Sequence, residues 1–597
     1  MQDDNDRDTT KPATAEASPT AVSADSDTAR PARVEVNGTT VPATSPAATT
    51  STTPDGKTVT SQELFRRGDV SITREQVAGG DQFADLVVVN TGAGNDRVNV
   101  SQRTDGTLDV NVNGERYHVT LGPGQELGVR TGDGNDVVRA ATNVTVNMDV
   151  RGGDGNDRIV TGQGRDRIDG GAGDDTIYSR GGRDDVFGNT GNDTINAGDG
   201  HDVVYGGDGN DHLMGGRGRD YIEGGQGNDT LIGGRGDDVL SGGQGNDRIV
   251  GQQGDDRVYT GAGNDTVVNR SGTDTVFGQT ADDTITTGRT ATTNTTNVDM
   301  STAVGSSIVV TGSPEFQQRV NADLDMLRNS PNGRQMLAEL DRAALNGNTV
   351  TIGELSNTTN GFATPAGGGN FLTTVTAADG TSSVVAGTGT DSTVAYNPSN
   401  HEDRFPAPVA VLYHELSHAY NHVNGTRQPG QNTGVGIDSG INNREMQAVG
   451  LSNSGLAFDF DNNPATPATT ANPHHLTENG LREEMGLPQR PSYNLPATGV
   501  WDGGLGPGDR NAAAATTGST GAAVIDPQLQ RMLHAAEHGD HNALHAATQE
   551  LRQSDFGQQF QQNGVQALQR HEQQHAQAQT PPPQPEPEPA KVGGMRH

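Results

Sequence analysis

From Gly152 to Thr286 the chain divides, without a gap, into fifteen consecutive nonapeptides. Well-formed copies read GGDGNDRIV, GGQGNDTLI, GGRGDDVLS and GGQGNDRIV. The sixth position is aspartate in every copy: Asp157, Asp166, Asp175, Asp184, Asp193, Asp202, Asp211, Asp220, Asp229, Asp238, Asp247, Asp256, Asp265, Asp274 and Asp283. The eighth is Ile, Val or Leu throughout, and the fourth is glycine in all copies but the last, where Ala281 stands. Glycine admits positive φ and lets backbone carbonyls approach a ligand closely. The aspartate supplies a hard oxygen of the kind calcium takes. The aliphatic residue after it begins a short strand whose side chain can enter a shared core. Two nonapeptides per turn make a parallel coil of seven to eight turns, roughly 35 Å long at the strand spacing of about 4.8 Å. A glycine-rich flexible linker would not keep two positions invariant over this length. The segment carries 25 acidic residues against 11 arginines, so it repels itself until cations bind, which couples metal binding to folding.

The unit resembles the RTX (repeat-in-toxin) nonapeptide family, which implies a parallel β-roll with calcium held between loops of neighbouring turns. Two outlying copies, TGAGNDRVN and TGDGNDVVR, lie upstream around Asp96 and Asp136. Composition agrees with repeats in place of one large core: 597 residues include 83 glycines, 4% aromatics and a net charge of −35. That charge argues against nucleic acid as a partner, whose phosphates it would repel. The absence of cysteine excludes disulfides and thiolate metal sites. No apolar run approaches the ~20 residues of a membrane span. The start, MQDDNDRDTTKPATAEASPT, has neither the basic nor the apolar stretch of a Sec signal, so export is expected by another route.

The fold class expected is multidomain: a β-roll plus an α+β zincin-like unit between a disordered N-terminus and a helical or disordered tail. Residues 1–62 are Ser/Thr/Pro-rich and read as disordered. Residues 63–150 read as β-rich, with a hairpin turning at Asn113-Gly114. The β-roll spans 151–288 and a Thr/Asn-rich linker 289–304. The second folded unit, 305–496, opens with one or two amphipathic helices that place Phe316, Val320, Leu324 and Leu327 on one face. Strands are expected at NTVTIGEL and at GTGTDSTVAYNPS. A Gly/Ala/Thr linker follows at 497–523, a polar helical tail at 524–576 and a Pro-rich disordered end at 577–597. The tail's histidines, 534, 538, 541 and 545, read as solvated helix surface.

Within the second unit stands VLYHELSHAYNH. On a helix His414 and His418 share a face, about 6 Å apart along the axis, and Glu415 lies beside them. Two zinc ligands and a general base in this spacing form the HExxH pattern of metallopeptidases. His422 lies two turns from His414 and cannot share its ion, so it is expected at the surface or behind a ligand. A third ligand is required, and Asp438, Glu445, Asp459, His474, His475, Glu478, Glu483 and Glu484 are candidates. NNREMQAVGLS reads as a second helix capped by Asn442 or Asn443, with Glu445 in its first turn.

The ordered set YNP, AVLYHELSHAYNHVNG, NREMQAVGL and LTENGLREEMGLPQRPSY resembles the NleD-like bacterial effector zinc metallopeptidases over about residues 305–495. It also shares with clostridial-neurotoxin-like zincins an HExxH, a later Glu-x-x-x-x-Gly and an Arg-x-x-Tyr. The resemblance implies Glu445 as third zinc ligand and Glu478 as the carboxylate orienting a histidine. It implies Arg490 and Tyr493 as stabilisers of the oxyanion, with Glu415 as general base. It further implies a polypeptide substrate, host signalling proteins among the possibilities, and delivery into host cells. DSTVAYNP is expected to be an edge strand for an extended substrate. The expectation is a secreted zinc endopeptidase with Zn2+ and Ca2+ as its metals, exported by type I or type III-like secretion machinery. The competing reading is an extracellular calcium-binding structural or adhesive protein whose peptidase-like domain is inactive.

Overall fold

Each nonapeptide forms a glycine turn and a short strand, and two nonapeptides complete one turn of a parallel solenoid. Residues eighteen apart are therefore partners: Ile159 stands over Ile177 in one ladder and Ile168 over Val186 in the other. The eighth-position side chains, from Ile159 to Val276, meet in one fully buried column. Each contributes about 1.5–3 kcal/mol of apolar burial. The turns need glycine for two reasons visible at Gly209: its φ is 147°, and an added Cβ would lie 1.8 Å from the Gly191 carbonyl oxygen. The computed structural model describes residues 33–36, 39–40, 48–52, 57–78, 83–279, 281–355, 361–367, 371–377, 379–398, 407–433, 438–460 and 467–491. All belong to one compact unit.

The solenoid is longer than the fifteen repeats. Upstream, Asp85–Asn90 and Arg97–Gln102 pair in parallel with Glu126–Asp133 and Val137–Ala140. The outlying copies are thus turns of the same coil. Downstream, Thr284–Asn297 pairs along Thr266–Gly278, so the expected linker 289–304 instead supplies the final strand as far as Asn297. Its β-branched threonines suit a strand, and the last coil offers an open edge to receive one. Thr58–Arg67 and Val70–Val77 add antiparallel to Asp85–Asn90 at the other end. The expected hairpin joins Leu108–Val112 to Glu115–Thr120, with Asn113 and Gly114 at φ 53° and 90°. Within 1–62, Arg33–Val36 pairs with Glu115–Thr120 and Thr49–Thr52 with Thr58–Arg67. Most of the remainder of that stretch lies outside the described residues, as do the segments 497–523, 524–576 and 577–597.

The second unit holds helices α1 (Pro314–Asn329), α2 (Pro331–Leu345), α3 (Pro408–Asn424), α4 (Asn443–Val449) and α5 (Glu478–Glu484). Ser313 caps α1 and Ser330 caps α2, each with proline next, the preferred start of a helix. Phe316, Val320, Leu324 and Leu327 are all buried, as expected. A four-stranded sheet runs in the order Val309–Thr311, Val350–Glu354, Ser392–Tyr396, Gly361–Pro365, the last antiparallel. The strand expected at the edge, Ser392–Tyr396, is internal. The stretch 361–365, not read as a strand from sequence, takes the edge because it folds back antiparallel on it.

Candidate functional site

The buried aspartates of the solenoid are the first chemical feature. The backbone N–H of Asp193 donates to Asp211 Oδ1 one turn on at 2.8 Å, and the same bond recurs along both rows. The other oxygen, Oδ2, has no hydrogen-bond partner in Asp157, Asp175, Asp184, Asp193, Asp202, Asp211, Asp229, Asp238, Asp247, Asp256, Asp265 and Asp274. An uncompensated buried carboxylate oxygen is costly, so each needs a cation or a proton. At Gly206 an added Cβ would sit 2.3 Å from Asp211 Oδ2 and 2.5 Å from the Gly224 carbonyl oxygen, so only glycine lets these two oxygens come so close to the backbone. Carboxylate and carbonyl oxygens brought together at a glycine are the donor type that calcium takes. Burial pushes the carboxyls of Asp211 and Asp229 up to about 7 and about 8.

The second feature lies on α3, which is buried on nearly every face and ends at Gly425 in the left-handed region. His414 and His418 stand one helical turn apart, their rings nearly perpendicular at 83°. Their Nε2 atoms are 3.2 Å apart, and Glu445 Oε2, from the first turn of α4, is 3.0 Å from His418 Nε2 and 3.7 Å from His414 Nε2. Two ligands at zinc distances of about 2.05 Å in a tetrahedron are separated by about 3.3 Å. The three donors fit zinc, and no other group of metal-ligating side chains with this geometry occurs among the described residues.

Behind the triangle, Glu478 Oε2 accepts from His414 Nδ1 at 3.0 Å and from Arg490 Nη1 at 3.0 Å, while Oε1 accepts from Arg482 Nε at 2.7 Å. Burial raises the Glu478 carboxyl, but Arg490 and Arg482 outweigh it and hold the group well below its usual range. Burial likewise opposes charge on His414, yet Glu445 and Glu478 raise it to about 10. A cation entering the triangle must displace that proton. Glu415 is 6% exposed, its Oε2 has no partner, and burial raises its carboxyl. The edge strand passes beside it: a Cβ on Gly361 would be 3.0 Å from Glu415 Cγ.

The structure therefore brings together His414, His418, Glu415, Glu445, Glu478 and Arg490. Tyr493 lies outside the described residues. Of the other candidate ligands, His474 pairs with Glu483 at 2.7 Å on the surface, and Glu484 faces Asn332 and Tyr259. His422 is buried, with Nδ1 2.9 Å from Ser392 Oγ, because its face of α3 packs on the sheet. Sequence reasoning missed Arg482, although its i,i+4 spacing from Glu478 in ENGLREE is a visible signal.

A calcium-binding solenoid carrying an α+β peptidase-like unit is the class of protein that these elements define. Residues 304–493 match the model of the Peptidase M91 family, described as an effector protein. Residues 151–290 match the RTX calcium-binding nonapeptide repeat in seven overlapping stretches. The resemblances to the effector peptidases and to the RTX repeats are borne out. No curated protein matches the chain. The chain thus joins an effector-type peptidase domain, with a polypeptide as its class of substrate, to repeats that bind calcium. No described helix is long and apolar enough to cross a membrane.

Proposed function

We propose that this protein is a secreted zinc endopeptidase whose metal is held by His414, His418 and Glu445, and that it cuts proteins of a host. The observation that carries the reading is the His–His–Glu triangle backed by Glu478. Zinc held there supplies a Lewis acid that polarises a peptide carbonyl and acidifies water. Glu415, with one buried oxygen uncommitted and a raised affinity for protons, takes a proton from the attacking water and passes it to the leaving amine. Glu478 holds the proton on His414 Nδ1, so that Nε2 presents its lone pair to the triangle. Arg490, 2% exposed and bonded to Glu478, is a positioning residue in this scheme, and Tyr493 remains the proposed oxyanion donor. An extended substrate adds to Gly361–Pro365, the edge of the sheet among the described residues, where Phe362 is 51% exposed. The match to an effector family supports a host protein as substrate. The calcium rows support loading at the millimolar calcium met outside cells.

The test is metal content of the full chain in calcium, by mass spectrometry, for wild type and Glu445→Ala. About one zinc per chain with marked loss in the variant is expected from a three-ligand site. Full zinc in both removes Glu445 from the site, and no zinc in folded wild type overturns the reading. Cleavage of a peptide library, with Glu415→Gln as the blank, then establishes the activity.

A further inference from the structure

The solenoid and the peptidase do not have separate cores. One flank of the coil carries Phe187, Tyr205, Tyr221, Val239, Tyr259 and Phe277, and these are buried in the same cluster as Phe316, Val320 and Leu324 of α1 and Leu412 and Leu416 of α3. Helix α1 lies across the strands Val203–Asp208, Tyr221–Gln226 and Val239–Gln244. Two groups of polar contacts are central to the register of the halves. Asp323 of α1, fully buried, accepts from Tyr205 at 2.9 Å and Tyr221 at 3.3 Å on the solenoid, and from Tyr396 of the peptidase sheet at 2.9 Å. Farther along, Tyr259 donates its hydroxyl to Glu484 Oε1 at 3.2 Å, and Arg257 Nε donates to the Glu484 carbonyl at 3.2 Å. Glu484 closes α5, the helix that opens with Glu478, the partner of His414.

Arg257 and Tyr259 follow Asp256, whose N–H bonds Asp274 Oδ1 at 3.0 Å and whose Oδ2 is one of the unsatisfied oxygens. The strand that holds α5 thus begins directly after an aspartate of the repeat row. We infer that this flank is a structural wall of the peptidase and that Tyr259 and Arg257 are positioning residues for α5. Calcium occupancy of the repeats therefore governs the alignment of Glu478 and His414. The last step, to the metal, rests on the zinc reading above. The wall itself does not.

The test is hydrogen exchange on the full chain, zinc-free throughout because calcium chelators also strip zinc. In calcium, amides of 408–424 and 478–484 should be protected. In calcium-depleted buffer they should exchange at least about tenfold faster, together with the repeats. Retained protection of these helices while the repeats exchange freely overturns the inference. In calcium, Tyr259→Phe should leave the repeats folded and speed exchange over 478–484 roughly fivefold, the scale of one hydrogen bond. It should also weaken zinc binding in a competition titration. Tyr178→Phe, on the opposite ladder, should do neither. Unchanged α5 exchange in Tyr259→Phe, or the same change in Tyr178→Phe, overturns the positioning role. Protection that follows calcium in a chain that never binds zinc sustains the wall and removes the zinc reading alone.

Discussion

In calcium-free buffer, acid should restore the solenoid. Along one row the carboxyls of Asp157, Asp211 and Asp265 are raised to about 7, those of Asp175 and Asp229 to about 8, and those of Asp193 and Asp247 to about 6. Burial is the main cause in each. In the unfolded chain an aspartate titrates near 3.9. The folded value lies above the unfolded one, so the stabilisation is fully present below about pH 4 and is lost as pH rises through 6 to 8. A proton turns the orphaned Oδ2 into a donor, and at Asp211 the Gly224 carbonyl oxygen converges on the same space. Between pH 5 and 6 each such group is worth at most about 1.4 kcal/mol per pH unit. Three of them give about 4 kcal/mol, a large share of a domain's ~5–15 kcal/mol. The assay is far-UV circular dichroism of the full chain in chelator from pH 7.5 to 5, with sedimentation to exclude precipitation near the pI of about 4.6. Strand signal should grow on acidification and match that obtained with calcium at pH 7.5. Equal signal in chelator at both pH values, or none at pH 5, would refute the reasoning.

Three further outcomes are expected. Glu415→Gln should keep its zinc but lose at least about a hundredfold in peptide cleavage, because the variant cannot accept the proton; undiminished cleavage would remove Glu415 as the base. Gly206→Ala should raise the calcium midpoint in a titration, since its Cβ would occupy the space between Asp211 Oδ2 and the Gly224 carbonyl. Arg482→Met should cost about 3–5 kcal/mol in denaturant unfolding, because it breaks a fully buried ion pair. The same variant should weaken zinc about 10–100-fold through Glu478.

Local patterns were legible where one short stretch contains its own reason. The repeat period gave the strand ladders, Asn113-Gly114 gave the hairpin, and His414, Glu415 and His418 needed only one helix to become neighbours. The resemblance alone singles out Glu445 among the candidate ligands, and its distance of 3.0 Å from His418 Nε2 depends on how α4 packs beside α3. The edge strand was misplaced because Ser392–Tyr396 is strand-like from either side. Which strand ends at the edge depends on what folds back against it. The threonine-rich stretch to Asn297 has the composition of a linker, and only the open end of the coil makes it a strand.

By itself, then, the sequence determined the calcium-binding solenoid and the helix that sets His414 and His418 side by side, since both arise from periodicities within one element. The tertiary structure alone decided that Glu478 joins His414 to Arg490, and that Tyr205, Tyr221 and Tyr259 of the repeats close the peptidase's core. Those contacts join residues up to 225 positions apart, and their stabilisation exists only once both surfaces are folded and water is excluded between them.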